Sequence, residues 1–191
     1  YSLLSGLYPT AQGAPSLRGT KELLEAYSTM PWLRAVTQKI AHSVAATQWT
    51  AWAPTNRKRN RIIQRAALPD RHKMVKQGAE LGEWQQLESH PLLDALANAN
   101  DFLVGPALLR TTQVHMDLVG EAFWIKERNG LGVPVGFWPI PANWIRTTPT
   151  PSHRFYGVSF RGWRGDIPDT EITWIVDPDP ANPYGRGTGI A

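Results

Sequence analysis

The sequence predicts an α+β fold, in which N-terminal helices pack on a mostly antiparallel β-sheet. In the first half of the chain apolar residues recur at steps of three and four, and after residue 120 the period changes to two. The 16 Pro and 16 Gly favour strands and turns over a helical bundle. A length of 191 residues fits one domain, or one and a fraction, with a real hydrophobic core.

The helices are predicted from their caps and apolar spacing. Thr20 is expected to cap a short helix over residues 21–27. Pro31 begins a longer helix, which carries an apolar stripe from Leu33 to Val44. Pro91 opens a third helix that stops at residues 98–100, and a fourth runs from Gly105-Pro106 to Gly120.

The strands are predicted from alternating patterns bounded by turn residues. Trp49 and Trp52 alternate with polar or small neighbours until Pro54. Asn129-Gly130 is a hairpin-type turn between two strands, and three further strands follow it. The predicted strands after residue 120 are residues 122–125, 133–140, 144–148, 154–160 and 171–176. Helices followed by a run of strands indicate α+β rather than alternating βαβ units.

Composition divides the chain into regions. Residues 1–19 are predicted to form an extended arm, and residues 20–176 the α+β domain. Within that domain residues 55–84 are predicted to be a basic insertion loop. Residues 177–191 are rich in Pro and Gly and are predicted to be a loop.

The positive charge is concentrated in one segment. Outside it the chain has 12 basic and 15 acidic residues, so the rest is mildly acidic. Such a segment can be a solvated loop, or it can contact phosphates or an acidic partner. It holds eight basic residues and one acid, Asp70; the basic residues are Arg57, Lys58, Arg59, Arg61, Arg65, Arg71, Lys73 and Lys76.

No catalytic, cofactor or metal motif emerges from the sequence, so no enzyme activity is predicted. The five histidines have no metal-ligand spacing, and the absence of Cys excludes thiolate sites. The loop at residues 185–189 is Gly-rich but lacks the Lys-Ser/Thr ending of a phosphate-binding loop. A Trp-rich carbohydrate-active enzyme is a further alternative, but it lacks a convincing carboxylate pair.

The nine Trp residues are predicted to serve two purposes. Trp124, Trp138 and Trp174 lie in strand patterns and are expected in the core. Trp84 and Trp163 lie in polar, turn-like surroundings and are expected to be exposed docking aromatics. Together with the basic segment they are the candidate interface residues.

Six segments form an ordered set of motifs. They include a Val/Ala-rich helix with a central Ile40-Ala-His-Ser, a His90-Pro-Leu-Leu stretch and a Trp-rich Pro motif beginning at Phe137. The six segments are residues 32–45, 49–52, 90–100, 118–130, 137–145 and 172–187.

In this order the segments resemble the siphophage-type portal proteins of tailed bacteriophages and gene transfer agents. The chain departs from that family at Glu121, where Asn is usual, and at Thr188-Gly189, where the family has Ser-Pro. The resemblance implies that these 191 residues are mainly the outer wing region, and that residues 177–191 lead toward a missing stem.

The resemblance also implies a function. Family members form rings, usually dodecamers, at the capsid vertex of the virion, where the terminase packages double-stranded DNA and from which the DNA is later ejected. The implied partners are other copies of the chain, the major capsid protein, the terminase large subunit and the head–tail adaptor. No membrane partner or cofactor is implied, and synthesis in the bacterial host cytoplasm is expected. The alternative is a stand-alone nucleic-acid-binding module that uses residues 57–76.

Overall fold

The computed structural model describes residues 17–54, 84–180 and 185–189. These described residues divide into two compact units, a larger one with residues 17–47, 95–180 and 185–189 and a smaller one with residues 48–54 and 84–94. The predicted α+β class is confirmed. No helix in the described ranges is long and apolar enough to cross a membrane.

Among the described residues, the larger unit has three long helices: α1 (Leu17–Thr29), α2 (Pro31–Ala45) and, later in the chain, α4 (Gly105–Val119). Helix α2 begins where predicted, because Pro31 occupies its first turn after an extended Met30. Helix α1 begins before the predicted cap, and Thr20 is instead buried within the helix. Both helices pack against α4.

Helix α4 ends at a glycine that the sequence identified. Gly120 has φ 72°, a left-handed conformation that favours glycine, and its N–H donates to the Met116 carbonyl at 2.9 Å. Strand β3 (Glu121–Arg128) follows directly. It is the central strand of a three-stranded antiparallel sheet whose other strands are β4 (Pro134–Ile140) and β8 (Ile172–Val176).

The turn between β3 and β4 is held by Asn129. Its Oδ1 accepts hydrogen bonds from the backbone N–H groups of Leu131 and Val133, both at 3.0 Å. The predicted hairpin is therefore present, with the side chain of Asn129 as the organising group.

A second antiparallel sheet has the order β5 (Ile145–Thr147), β6 (Phe155–Phe160) and β7 (Trp163–Pro168). Strand β7 was not predicted, since its sequence Trp-Arg-Gly-Asp-Ile-Pro contains little β-forming character. It forms because a tight turn at Arg161 (φ 45°) and Gly162 (φ 87°) returns the chain along β6. Short 3-10 helices precede β5 (Ala142–Trp144) and β8 (Asp169–Glu171).

The larger core joins the helices to both of these sheets, whereas the sequence predicted helices packed on a single sheet. Phe123 is fully buried and stacks on Trp174, with ring centroids 5.9 Å apart. Leu118 of α4 and Ile145 and Val158 of the second sheet belong to the same cluster. A smaller cluster surrounds Trp124 and also includes Leu96, Leu108 and Phe137.

The smaller unit contains β1 (Ala51–Pro54) paired antiparallel with β2 (Trp84–Leu87). Trp52 lies on β1 as predicted, whereas Trp49 precedes the strand. Helix α3 (Pro91–Ala97) comes next in sequence and begins at the predicted proline. The predicted insertion loop, residues 55–84, lies outside the described residues except for Trp84.

Candidate functional site

A buried ion pair lies at the junction of α4 and β3. Glu121 is the first residue of β3 and is 0% exposed, and Arg186 comes from the C-terminal loop and is 8% exposed. The Arg186 Nε donates to both carboxylate oxygens of Glu121, at 2.7 and 2.8 Å, and its Nη2 also bonds the carboxylate. This Glu121–Arg186 pair joins residues that are distant in the sequence.

The remaining polar atoms of the pair also have partners. The guanidinium Nη1 donates to the Ile145 carbonyl at 3.2 Å, and Nη2 donates to the Ala142 carbonyl at 3.1 Å. The Trp174 indole N–H donates to Glu121 at 3.3 Å. A buried charge pair with satisfied hydrogen bonds is tolerated in a core, whereas either charge alone would be strongly destabilising.

Glycines let the C-terminal loop approach the end of α4 closely. A Cβ on Gly187 would overlap the carbonyl of Gly120, and one on Gly189 would overlap the carbonyl of Leu118. The loop at residues 185–189 therefore serves close packing and supplies Arg186 to Glu121. This arrangement explains the Gly-rich sequence without a bound phosphate.

Sequence reasoning did not find this pair. Glu121 departs from the pattern of the family that the sequence resembles, and Arg186 lies in the Gly-rich loop, but neither feature predicts that the two side chains meet. A usable signal exists, since Glu121 is an acid between a helix-ending glycine and the apolar run Ala122-Phe-Trp-Ile. Such a carboxylate in a central strand requires a partner, but the sequence does not say which cation supplies it.

A second feature is a cationic cleft between α1, α2 and α4, with a volume of about 600 Å³. The polar side chains that line it can all donate hydrogen bonds. They are Tyr27, Arg34, Gln38, Arg110, Thr111 and His115. The remaining lining residues are apolar, and none of the lining residues is Asp or Glu.

His115 is the titratable group of the cleft whose pKa is perturbed. Burial lowers the pKa of His115 from 6.5 to about 4, because a charged imidazolium is poorly solvated there. Its Nδ1 is enclosed and has no hydrogen-bond partner among the described residues. His115 thus lines the cleft together with the guanidinium groups of Arg34 and Arg110.

Helix α2 also presents an apolar side to solvent. Met30, Trp32, Val36 and Ile40 are 42–68% exposed, and they line a groove of about 390 Å³. Asp117 of α4 also lines this groove, and its Oδ1 accepts a hydrogen bond from Gln113 at 2.7 Å. The apolar stripe predicted for α2 therefore continues onto solvent-exposed surface.

The predicted interface residues differ in outcome. The basic residues of the segment 57–76 lie outside the described residues, so their role stays a prediction. Trp163 is 54% exposed on β7, in agreement with its predicted exposure, although its docking role stays a prediction. Trp84 is 9% exposed, so the prediction of an exposed aromatic there is wrong. It is a strand residue paired with Pro54, not a turn residue as its polar neighbours suggested.

The described ranges hold no group of three or more His, Asp or Glu side chains that could bind a metal ion. Asp166 lies in β7, and Asp169 pairs with Arg154 beside the second sheet.

No protein-family model and no curated protein sequence matches the chain. The solved structures that share its fold include two chains from gene transfer agent particles. A chain in the neck of an empty GTA particle, computed with C6 symmetry, has a TM-score of 0.61 and 16% identity, over 96% of this chain and 43% of that one. A chain in the virion of a native gene transfer agent (GTA) particle has a TM-score of 0.59 and 15% identity, over 96% of this chain and 42% of that one. This chain thus spans less than half the length of either.

Proposed function

We propose that this chain is part of a portal subunit, the head–tail connector of a tailed phage or gene transfer agent. In this function the subunits form a ring, with twelve copies expected, at one vertex of the capsid. Double-stranded DNA passes through the ring during packaging by the terminase and again at ejection. The portal has no chemical step of its own, and its work is shape and self-association.

The observation that carries this proposal is the shared fold. Nearly the whole chain, 96%, superposes on less than half of a chain from a GTA particle neck. That proportion is expected if these residues correspond to one region of a longer portal subunit, the wing. The six ordered motifs support the same assignment independently, since they are features of the sequence and do not depend on the fold comparison.

Charge supports the proposal as well. Apart from the basic segment the chain has 12 basic and 15 acidic residues. A mildly acidic body beside moving DNA avoids strong phosphate binding, which would oppose translocation. The alternative of a stand-alone nucleic-acid-binding module gains no support from the fold, because both similar chains are particle components.

The test is the oligomeric state of the full-length gene product. Mass photometry should show a discrete species of about twelve subunits, and cryo-electron microscopy should show a ring with rotational symmetry. A particle preparation labelled with antibody against this protein should carry the label at a single vertex. A product that stays monomeric at micromolar concentration and is absent from the particles would contradict the proposal.

A further inference from the structure

The cationic cleft has the composition of a site for an acidic ligand. Its two guanidinium groups, Arg34 and Arg110, are exposed, and no acid lines the cleft. Arg110 forms no ion pair with any described residue, and Arg34 lies over the Tyr27 ring at 5.8 Å. Two unneutralised cations at one cleft favour a carboxylate or phosphate there.

The apolar lining distinguishes between these two ligand types. Leu24, Val114, Leu118 and Pro141 form the remaining surface of the cleft. A DNA backbone would leave this surface covered by hydrated sugar and phosphate, without burial of apolar area. A protein segment with a carboxylate beside an aromatic ring would instead match both surfaces of the cleft. The carboxylate would pair with the guanidinium groups, and the ring would cover the apolar residues. The cleft therefore favours an acidic segment of a protein.

The larger unit itself exposes such a segment, at Asp101 and Phe102. Phe102 is 82% exposed, more than any other exposed aromatic residue in the described ranges. Asp101 is also exposed and makes no ion pair with a described residue. Several other acids of this unit already have cationic partners, as Glu25, Glu171 and Asp169 do.

The segment is held in place by Asn100. The Asn100 Oδ1 accepts hydrogen bonds from the backbone N–H groups of Phe102 and Leu103, at 2.9 and 3.0 Å. The Asn100 Nδ2 donates to the Phe137 carbonyl at 2.8 Å, and Phe102 packs edge-on against Trp138. Because the loop is ordered before binding, little conformational entropy would be lost on docking.

We propose that Asp101 and Phe102 of one subunit dock in the cationic cleft of the next subunit. The carboxylate would meet Arg110 and Arg34, and the phenyl ring would cover the apolar lining. The inference rests on the proposed ring, in which every subunit presents both a cleft and a loop. Two different surfaces that meet head to tail generate a ring when their rotation closes.

The test uses charge reversal in the full-length product. Arg110→Glu and Asp101→Arg should each lower the ring fraction at least about tenfold, since each places like charges in the contact. The double variant restores an opposite-charge pair between positions 101 and 110 and should recover a substantial part of the rings, although Arg34 still faces the reversed loop. An equimolar mixture of the two single variants should also assemble, because each wild-type cleft can bind a wild-type loop and the reversed cleft can bind the reversed loop.

Matched controls separate this contact from a folding defect. Arg164→Glu, an exposed arginine on β7, should leave the rings unchanged. Phe102→Ala keeps the charges of the contact and should lower the ring fraction, because it removes the ring that covers the apolar lining. Circular dichroism should show that all variants are folded.

Each remaining outcome overturns the inference. If Arg110→Glu forms normal rings, the cleft is not an inter-subunit site, although the portal proposal stands. If Arg110→Glu disrupts rings but Asp101→Arg does not, the cleft binds a different acidic partner. If Arg110→Glu leaves the rings intact and only weakens the binding of double-stranded DNA in a gel-shift assay, the ligand of the cleft is phosphate. Failure of the wild-type chain to form rings would instead count against the portal function itself.

Discussion

At the scale of single residues, the Glu121–Arg186 pair joins the C-terminal loop to the central sheet. Both side chains are almost completely buried, so neither charge can be hydrated if its partner is removed. The Arg186 guanidinium also donates hydrogen bonds to the backbone carbonyls of Ala142 and Ile145, where the chain enters the second sheet. The contribution of the pair is therefore best measured by comparing loss of one partner with loss of both.

We predict that Arg186→Met lowers the free energy of unfolding by about 3–5 kcal/mol, because it leaves the Glu121 carboxylate buried and unpaired. Glu121→Leu combined with Arg186→Met should recover most of that loss. Urea unfolding followed by tryptophan fluorescence measures both. Arg154→Met is the control, because the Arg154 side chain is 70% exposed in its pair with Asp169. This substitution should lower the free energy of unfolding by less than about 1 kcal/mol. A loss below 1 kcal/mol for Arg186→Met would contradict the prediction.

His115 makes stability depend on pH. Its pKa is about 4 in the folded protein and about 6.5 when unfolded, so the unfolded chain binds more protons between these values. Stability should therefore fall as pH is lowered from 7 toward 4, by up to about 3 kcal/mol from this group.

His115→Gln should flatten this part of the pH profile, because glutamine does not titrate in this range. Urea midpoints at a series of pH values between 4 and 7 provide the comparison. Equal slopes for His115→Gln and the wild-type chain would show that His115 titrates normally.

At the scale of elements, the C-terminal loop packs against the end of α4 through glycines. We predict that Gly187→Ala destabilises the fold by about 1–3 kcal/mol, because its Cβ would overlap the Gly120 carbonyl. Gly130→Ala in the β3–β4 turn is the control, since a Cβ there meets no atom within 4 Å. Thermal unfolding of the two variants measures the difference. Equal melting temperatures would mean that the loop moves aside without cost.

The elements differ in how well their sequences predict them. Helices α2 and α4 were predicted nearly to the residue, because Pro31, Gly105-Pro106 and Gly120 are local signals that act within one turn of chain. Strand β7 was missed, because its pairing with β6 compensates for unfavourable local residues. Trp84 was misassigned for the same reason, since its polar neighbours hide a position that is buried in the folded chain.

At the scale of the whole molecule, a role of the basic segment (residues 57–76) in assembly stays a prediction. We predict that simultaneous replacement of four arginines by Glu lowers ring or head formation; the four are Arg57, Arg59, Arg61 and Arg65. The segment has no apolar periodicity that would place it in a core, and it has no aromatic residue on which bases could stack, so a contact surface is its expected role. Particle yield and mass photometry measure the effect. Loss of salt-dependent DNA binding with intact rings would assign the segment to DNA instead, and unchanged assembly with unchanged DNA binding would discard both interpretations.

The sequence by itself determined the fold class, most of the helix and strand order and the portal-like motif order, because periodicity, caps and turns are local properties of the chain. Only the tertiary structure decided that Arg186 belongs to Glu121, and that Arg34 of α2 and Arg110 of α4 share one cleft with His115. These groupings depend on how distant elements pack. A charged residue in a sequence shows that it needs a partner, but the fold selects which partner it meets.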